Sequence, residues 1–282
     1  MNKWILGARP RTLPAAIAPV LVATALAGAE WNWLRAALAL KVGVWLQVGV
    51  NYANDYSDGV KGSDDNRIGP TRLVASGLAT AGQVKRAAFT SFGIASIAGL
   101  WLSLLSSPWL ILVGITAIAA AWGYTGGKNP YGYSGWGEVS VFVFFGLTAT
   151  VGTYYTQTGE VSALSVLCAV PMGSLACAIL VINNIRDRAQ DELVGKRTLA
   201  VRIGDSKARK GLVALLVIAH LSALATMLPQ SLLTLLVLPL TVSISRSIIS
   251  GATGTDLVPL LGKTGKLQMF FGALFALALA IQ

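Results

Sequence analysis

The chain has 282 residues, of which 54% are hydrophobic and only 12% are charged. Because an average soluble domain is about 25% charged, this composition excludes an ordinary soluble domain and indicates a protein embedded in the lipid bilayer. The net charge of +10 would suggest a nucleic-acid partner in a soluble protein. In a membrane protein it is typical of loops that stay in the cytoplasm, so no nucleic-acid partner is expected.

An apolar stretch of about 20 residues is long enough to cross a bilayer as a helix. Nine stretches meet this rule, so we predict an all-α membrane protein with nine transmembrane helices. They lie at roughly 12–29, 36–54, 84–106, 108–125, 138–157, 163–184, 211–228, 230–250 and 266–281. Cys168, Cys177 and His220 fall inside these stretches, and we predict that they are interior or interfacial residues without a disulfide or zinc role.

The distribution of basic residues predicts the orientation of these helices. If the N-terminus lies in the cytoplasm, the loops after the second, fourth, sixth and eighth helices lie there too. All of the 22 Lys and Arg residues except Arg35 and Lys41 then fall at or near the cytoplasmic side. Since cytoplasmic loops collect Lys and Arg, we predict nine spans with the N-terminus inside.

The acidic residues are concentrated in two short stretches, which follow the second and the sixth apolar run. Residues 51–72 and 183–197 together hold seven of the twelve acidic residues, namely Asp55, Asp58, Asp64, Asp65, Asp187, Asp191 and Glu192. A helix C-terminus repels carboxylates, and like charges three or four residues apart repel each other. We therefore expect that the two stretches face each other across bound cations.

The residue types in these stretches indicate which ligands they bind. Asn and Asp supply only oxygen, which suits a hard cation such as Mg²⁺, and the spacing Asn54-x3-Asp58 recurs as Asn183-x3-Asp187. The interleaved basic residues suit a phosphate group; they are Lys61, Arg67, Arg72, Arg186, Lys196 and Arg197. The alternative is that both stretches are solvated cytoplasmic loops of mixed charge.

At the level of longer motifs, the sequence resembles a known family. NDYSDGVKGSD followed by RIGPTR, and NNIRD-x3-D-x3-GKRTLAVRIG, are similar to the two aspartate-rich motifs of the UbiA superfamily of intramembrane prenyltransferases. ARPRTLPAAIAPVLVATAL and YTGGKNPYGYSGWGEVSVFVFFGLTATVGTYY resemble its menaquinone-pathway branch, which prenylates 1,4-dihydroxy-2-naphthoate. The resemblance covers the chain up to about Gly204.

The resemblance implies a fold, a location and a reaction. Residues 1–282 would form a single domain with nine helices around a central cavity, in the bacterial cell (inner) membrane, with the active site facing the cytoplasm. Two Mg²⁺ ions would hold the diphosphate of a polyprenyl diphosphate, and an allylic cation would form as the diphosphate leaves. The naphthoate ring would attack this cation and lose carbon dioxide, which gives demethylmenaquinol.

The resemblance also implies site residues. The metal ligands would be Asn54, Asp55, Asp58, Asp64, Asp187 and Asp191, and the catalytic residues among them Asp58, Asp64, Asp187 and Asp191. Substrate would be bound by Asn54, Lys61, Arg67, Arg72, Tyr124, Lys128, Asn183, Lys196 and Arg197.

Two details of the substrate site stay open at this point. The acceptor carboxylate needs a basic partner, for which Arg9, Arg11 and Lys128 are the candidates. Aromatic faces can stabilise an allylic cation, but they also form belts at the membrane surface; the candidates are Tyr52, Tyr56, Trp122, Tyr124, Tyr131, Tyr133 and Trp136.

Two alternative functions also remain open. One is prenyl transfer to another aromatic acceptor, such as 4-hydroxybenzoate or homogentisate. The other is a secondary transporter, although transporters carry ionisable residues near the bilayer midplane, and here the carboxylates lie at one end of their helices.

Overall fold

A computed structural model of the protein describes residues 2–64 and 69–281. Within these ranges the secondary structure is entirely helical, with α, 3₁₀ and π segments and no strand. The α-helices are α1 (Lys3–Ala8), α2 (Pro14–Leu26), α3 (Trp33–Val60), α4 (Ala81–Leu105), α5 (Trp109–Gly123), α6 (Gly137–Val141), α7 (Ala149–Thr158), α8 (Ala163–Leu193), α9 (Leu199–Ile203), α10 (Asp205–Leu224), α11 (Leu238–Ile249) and α12 (Leu257–Ala280). A π-helix, Phe142–Thr148, joins α6 to α7, and a 3₁₀ segment, Pro229–Val237, leads into α11.

The all-α prediction is confirmed for the described residues. Five helical segments are long and apolar enough to cross a membrane: Trp33–Val60, Ala81–Leu105, Gly137–Thr158, Ala163–Leu193 and Pro229–Ile249. Pro14–Leu26 and Trp109–Gly123 are apolar but shorter. The number of nine spans and the inside position of the N-terminus therefore stay predictions.

Two helices continue well past the ends of the apolar runs from which they were predicted. The second and sixth runs end at about residues 54 and 184 by length, whereas α3 ends at Val60 and α8 at Leu193. Hydropathy detects where a helix leaves the apolar layer, but the backbone hydrogen bonds continue beyond that point. Both aspartate motifs consequently begin on helices and not in loops.

Helix α8 lies at the centre of the packing. It contacts α2, α7, α10 and α12, and most of its membrane-length window is buried. Small residues let the π-helix Phe142–Thr148 pack closely on α8, since a Cβ added at Gly146 would come within 2.7 Å of the Gly173 backbone. Close approach at small residues is the usual way in which helices associate in membranes. As predicted, Cys168, Cys177 and His220 are buried in this helical core.

At the helix ends farthest from the aspartate motifs, one polar residue caps α3 and the next ties several helices together. Asn32 caps α3 by accepting hydrogen bonds from the backbone N–H groups of Leu34 and Arg35. The Arg35 guanidinium donates to the carbonyls of Leu105 at 2.8 Å, Thr156 at 3.1 Å and Gln157 at 3.2 Å. A single side chain thus satisfies carbonyls at the C-terminal ends of both α4 and α7, which have no partner within their own helices.

Candidate active site

One large cavity of about 1030 Å³ connects a polar end to a long apolar wall. The polar end is formed by the last turns of α3 and α8 and the loops that follow them. The apolar wall includes Ala39, Leu102 and Phe145. Ala39 and Asp58 both line the cavity and are 19 residues apart on α3, which corresponds to about 28 Å along the helix axis. The cavity therefore extends over nearly the thickness of a bilayer's hydrocarbon core, which is about 30 Å.

The polar end brings together the four predicted catalytic carboxylates. Asp58, Asp64, Asp187 and Asp191 all line the cavity, although the first two are more than 120 residues away in sequence from the last two. The expectation that the two acidic stretches face each other is therefore met in the structure. Whether these residues bind metal or act in catalysis remains a prediction.

The Asp58 carboxylate is held by several partners. It is 4% exposed, and it accepts hydrogen bonds from Lys196 Nζ at 2.9 Å and from the Tyr133 hydroxyl at 2.5 Å. Arg72 Nη2 lies 3.8 Å from Asp58, and its Nε lies 3.2 Å from Asp64. Two predicted substrate-binding cations, Arg72 and Lys196, thus already touch the carboxylates of the first motif.

The second motif is paired in a similar way. Asp187 accepts two hydrogen bonds from Arg186, at 2.7 and 2.8 Å, and the Arg186 side chain is fully buried. Asp191 lies 4.0 Å from Lys196 Nζ. Lys196 therefore lies between Asp58 of the first motif and Asp191 of the second, and it links the two motifs electrostatically.

Several donors at the polar end are buried and have no acceptor among the described residues. They are Nη1 of Arg72, Nη1 of Arg186 and the hydroxyl of Thr198. Arg72 and Thr198 line the cavity. A buried donor without an acceptor is costly, so this end of the cavity fits a ligand rich in acceptor oxygens.

The two predicted asparagines also reach the cavity. Asn54 and Asn183 line it, the Asn54 carbonyl oxygen accepts a 2.8 Å hydrogen bond from Thr125, and the Asn183 amide donates to the backbone carbonyl of Ile179 at 3.2 Å. The Asn54 amide nitrogen and the Asn183 carbonyl oxygen are not used by these two bonds.

Asp55 has a different role from the one the sequence suggested. It is fully buried, and its two carboxylate oxygens accept hydrogen bonds from the backbone N–H groups of Leu73 at 2.8 Å and Val74 at 3.0 Å. Its neighbour Asp58 lies on the cavity face of α3, whereas Asp55 anchors the chain that returns after the first motif. We therefore leave Asp55 out of the proposed ligand set.

Four predicted substrate-binding residues do not line the cavity or cannot be placed. Lys128 and Arg197 are exposed, and the Arg197 backbone N–H donates to the Tyr133 carbonyl. Lys61 donates from Nζ to the Thr125 carbonyl at 2.7 Å, and Arg67 lies outside the described residues. Lys61 and Arg197 thus hold loops next to the site. Since Lys128 does not line the cavity, it is not placed to pair with the carboxylate of an acceptor bound there.

Tyr133 is a site residue whose position the sequence did not reveal. Two ammonium groups lie over its ring, with Lys61 Nζ 4.8 Å and Lys196 Nζ 4.5 Å from the ring centroid. Burial and the Asp58 carboxylate raise the pKa of Tyr133 above its ordinary value of 10.0, so the phenol stays protonated and donates to Asp58. The ring is therefore better placed to orient Asp58 and the lysines than to face an allylic cation.

Of the remaining aromatic candidates, some line the cavity and the others do not. Tyr124 and Tyr131 line it, with ring centroids 5.5 Å apart, whereas Tyr52 donates to the Trp4 carbonyl and Tyr56 stacks on Trp122. Trp136 is largely exposed. Only the first pair is in place to contact a substrate.

Two further aromatic residues, Phe144 and Phe145, line the cavity and belong to the π-helix Phe142–Thr148. A π-helical turn holds more residues than an α-helical turn and is frequent at functional sites, so it changes which side chains share a face. No periodicity rule applied to FVFFGLT predicts that change.

Sequence comparison identifies the family. The UbiA prenyltransferase family matches residues 16–255 of the chain. The chain belongs to this family. It is 48% identical to the 1,4-dihydroxy-2-naphthoate octaprenyltransferase of Mycobacterium tuberculosis, over 99% of this chain and 97% of that protein. It is 38% identical to the protein of the same name from Escherichia coli, over 98% of this chain and 94% of that protein.

Solved structures of UbiA homologues show the same fold. A UbiA homologue from Archaeoglobus fulgidus bound to GPP and Mg²⁺ superposes with a TM-score of 0.73 at 15% identity, covering 100% of both chains. The apo structure of a UbiA homologue from Aeropyrum pernix K1 gives a TM-score of 0.73 at 15% identity, covering 93% of this chain and 96% of that chain. At this identity the likeness establishes the UbiA fold alone.

Proposed function

We propose that this UbiA family member transfers a long polyprenyl chain from polyprenyl diphosphate to 1,4-dihydroxy-2-naphthoate, which gives demethylmenaquinol for menaquinone biosynthesis. The observation that carries the proposal is the large cavity, which joins four carboxylates and their paired cations to an apolar wall. Such a cavity suits a substrate with an anionic head and a long hydrocarbon tail. The names of the relatives from M. tuberculosis and E. coli support the choice of acceptor.

The polar end fits Mg²⁺. Its candidate ligands are the carboxylates of Asp58, Asp64, Asp187 and Asp191, with the Asn54 side chain beside them. Among the described residues, no three acidic, His or Cys side chains come close enough to hold a metal by themselves. That fits Mg²⁺, which usually takes one or two carboxylates and completes its shell with water and substrate phosphate. When bound, Mg²⁺ would supply Lewis-acid stabilisation of the leaving diphosphate.

The basic residues at the same end would bind the diphosphate itself. Nη1 of Arg72 is a buried donor that has no acceptor among the described residues. Lys196 lies between Asp58 and Asp191. Arginine forms bidentate contacts with phosphate, and lysine acts as a point charge. Together they would stabilise the negative charge that grows on the diphosphate as the bond to carbon breaks.

The reaction balances without an external base. The C1–O bond of the prenyl diphosphate breaks, and its electron pair leaves with the diphosphate. A bond forms between C1 and the ring carbon that bears the carboxylate, and the bond from that carbon to the carboxylate breaks. Its electrons restore the aromatic ring as carbon dioxide leaves, so no ring proton has to be removed. Tyr124 and Phe145 line the cavity, and we propose that their ring faces stabilise the allylic cation.

The apolar wall would hold the prenyl tail. It extends about 28 Å along α3 from Asp58, so the tail lies parallel to the helices and the C1 atom stays near the carboxylates. The collection of charge at one end of the cavity also disfavours a transporter, which needs polar groups along a path through the bilayer.

We also propose that residues 1–282 form one domain in the bacterial inner membrane, with nine spans and with the N-terminus and polar end in the cytoplasm. The distribution of Lys and Arg supports this orientation. Packing of α1 on α3 and of α12 on α2 supports a single domain that extends beyond the matched residues 16–255. Reporter fusions after residue 8 and within residues 159–162 should report opposite sides of the membrane.

A product assay tests the function. Membranes that contain the chain, incubated with Mg²⁺, a long prenyl diphosphate and 1,4-dihydroxy-2-naphthoate, should yield a prenylated naphthoquinol lipid. The Asp58→Asn variant should not, whereas Asp256→Asn, which changes an exposed acid far along the chain, serves as the matched control. Product from 4-hydroxybenzoate or homogentisate instead of dihydroxynaphthoate would overturn the acceptor assignment.

A further inference from the structure

A second polar cluster lies in the cavity wall, away from the carboxylates. Arg9, Thr12, Gln47 and Asn51 form this acceptor cluster, and all four line the cavity. Asn51 and Asp58 follow Gln47 by four and eleven residues, and residues at these spacings lie on one side of a helix. All three therefore share one face of α3. Asn51 is thus about 10 Å and Gln47 about 16 Å below Asp58 along the helix axis.

Internal hydrogen bonds fix the orientation of both amides in the acceptor cluster. Gln47 Nε2 donates to Thr12 Oγ1 at 3.0 Å and to Asn51 Oδ1 at 3.3 Å. Asn51 Nδ2 donates to the Ala8 carbonyl at 2.8 Å and to Thr12 Oγ1 at 3.1 Å. Both N–H groups of each amide are then used, and Asn51 Oδ1 is occupied as well.

The Gln47 carbonyl oxygen is what this network leaves over. Gln47 is only 7% exposed and lines the cavity, and no donor within residues 2–64 and 69–281 bonds its Oε1. An amide oxygen that has no donor among the described residues, on a largely buried side chain that lines a cavity, fits a ligand that brings a hydroxyl donor.

Arg9 brings a positive charge to the same place. Its backbone has φ 52° and ψ 69°, in the left-handed region that a residue with a side chain seldom adopts. Thr12 holds it there, because the Thr12 backbone N–H and hydroxyl both donate to the Arg9 carbonyl, at 2.9 and 3.0 Å. The guanidinium is itself anchored, since Arg9 Nη2 donates to the Asn51 carbonyl at 3.2 Å. Conformations of this kind persist where surrounding contacts impose them, often at ligand sites.

We propose that the acceptor cluster binds the aromatic acceptor, with Arg9 pairing with its carboxylate and Gln47 Oε1 accepting a hydrogen bond from its adjacent ring hydroxyl. This inference rests on the proposed function. Thr12 and Asn51 are positioning residues that hold these two groups. A planar hydroxy acid bound here lies about two to three helical turns below Asp58, on the side from which it meets the C1 atom of a prenyl chain whose diphosphate is held at the polar end.

The choice of Arg9 also decides between the basic residues that the sequence left open. Lys128 is exposed and away from the cavity, and Arg11 lines the cavity but is itself an exposed residue. Arg9 is the only one of these three that has a hydrogen bond to the cavity face of α3 among the described residues.

Binding of substrate analogues to the purified chain in lipid nanodiscs tests the proposal by titration calorimetry. The analogues 1-hydroxy-2-naphthoate and 1-naphthol differ by the carboxylate, and 1-hydroxy-2-naphthoate and 2-naphthoate differ by the hydroxyl. Arg9→Gln should reduce the preference for the carboxylate by about tenfold, since it removes a charged hydrogen-bonding partner. Gln47→Met should reduce the preference for the hydroxyl by about fivefold and leave the carboxylate preference within about twofold.

The controls separate this proposal from the proposed function. Arg11→Gln is the matched control and should leave both preferences unchanged; if it, and not Arg9→Gln, abolishes the carboxylate preference, the assignment to Arg9 is overturned. Arg9→Lys keeps the charge and should recover part of the preference, and Gln47→Met tests the cluster even if Arg9 variants do not fold. If the wild-type chain binds the analogues as predicted but makes no prenylated naphthoquinol, the proposed function alone is refuted. If turnover is normal and both preferences are unchanged in Arg9→Gln and Gln47→Met, the binding role of the acceptor cluster alone is refuted.

Discussion

Replacing Lys196 by methionine tests the electrostatic link between the two aspartate motifs. Lys196 is 7% exposed, and its Nζ lies 2.9 Å from Asp58, which is 4% exposed. At that separation two unit charges attract by about 6 kcal/mol for an effective dielectric constant of about 20, and removing one partner of a buried pair costs about 3–5 kcal/mol. Arg72 stays 3.8 Å from Asp58 in the variant and offsets part of the loss. We therefore expect Lys196→Met to lower the free energy of unfolding by about 2–3 kcal/mol.

The measurement is reversible unfolding in mixed detergent micelles containing a chelator, followed by circular dichroism. Lys207→Met, which removes an exposed lysine, is the matched control and should change the free energy of unfolding by less than about 0.5 kcal/mol. The double variant Asp58→Asn/Lys196→Met should be less destabilised than the sum of the single variants, because neither charge is then left alone. A loss below about 0.5 kcal/mol in Lys196→Met, or additivity in the double variant, would show that this pair does not link the motifs.

Three further predictions concern the site and the packing around it. Asp187→Asn should leave a folded protein whose turnover is lower by at least about 100-fold, because a predicted ligand of the catalytic metal is lost; near-normal turnover would contradict the metal role. Tyr133→Phe should weaken diphosphate binding by about tenfold. The factor should be the same at pH 7 and at about pH 9.5, because the pKa of Tyr133 lies above 10.0 and the phenol donates to Asp58 at both pH values. An effect that fades with rising pH would mean that the phenol ionises. Gly146→Val should destabilise the fold by about 1–3 kcal/mol, since a Cβ there would come within 2.7 Å of the α8 backbone, whereas Gly152→Ala meets nothing within 4 Å and is its control; equal thermal stability of the two variants would contradict the packing argument.

Hydropathy was sufficient to locate most helices, because a helix that crosses an apolar layer must be apolar over most of its length. It was poor at locating helix ends on the side of the aspartate motifs. There α3 and α8 continue through Asp58 and Asp187, where polar sequence and helical structure coexist. The prediction of nine spans depends on charge as well as length. Helices such as α10 and α12 carry basic residues, and they do not meet the criterion of length and mean hydropathy for a membrane span.

The sequence indicated which carboxylates would meet but not how each one would be used. The repeated spacing of Asn54 and Asp58, and of Asn183 and Asp187, brought all four residues to one cavity. Nothing in the spacing distinguished Asp58 from Asp55, since a difference of three residues on a helix can keep two side chains near one face. The structure separates them because the chain after the first motif returns and offers the Leu73 and Val74 N–H groups to Asp55.

The partners of the charged residues depend on contacts between distant parts of the chain. Tyr133 lies 75 residues from Asp58 in sequence, and its ring meets one lysine that follows α3 and one that follows α8. The acceptor cluster likewise joins the segment before α2 to the middle of α3. Contacts of this kind are not contained in local periodicity, which is why the sequence left Arg9, Arg11 and Lys128 as equal candidates.

The hydrogen bonds of Arg35 have a consequence for how a lipid substrate enters. By bonding three carbonyls at the ends of α4 and α7, Arg35 fastens neighbouring helices together at the far end of the bundle. Because this joint holds α4 and α7 together at one end, any gap that opens between them would be widest toward the carboxylates. A prenyl diphosphate would then slide in sideways with its head near the membrane surface, where its charge stays hydrated until Arg72 and Lys196 replace the water.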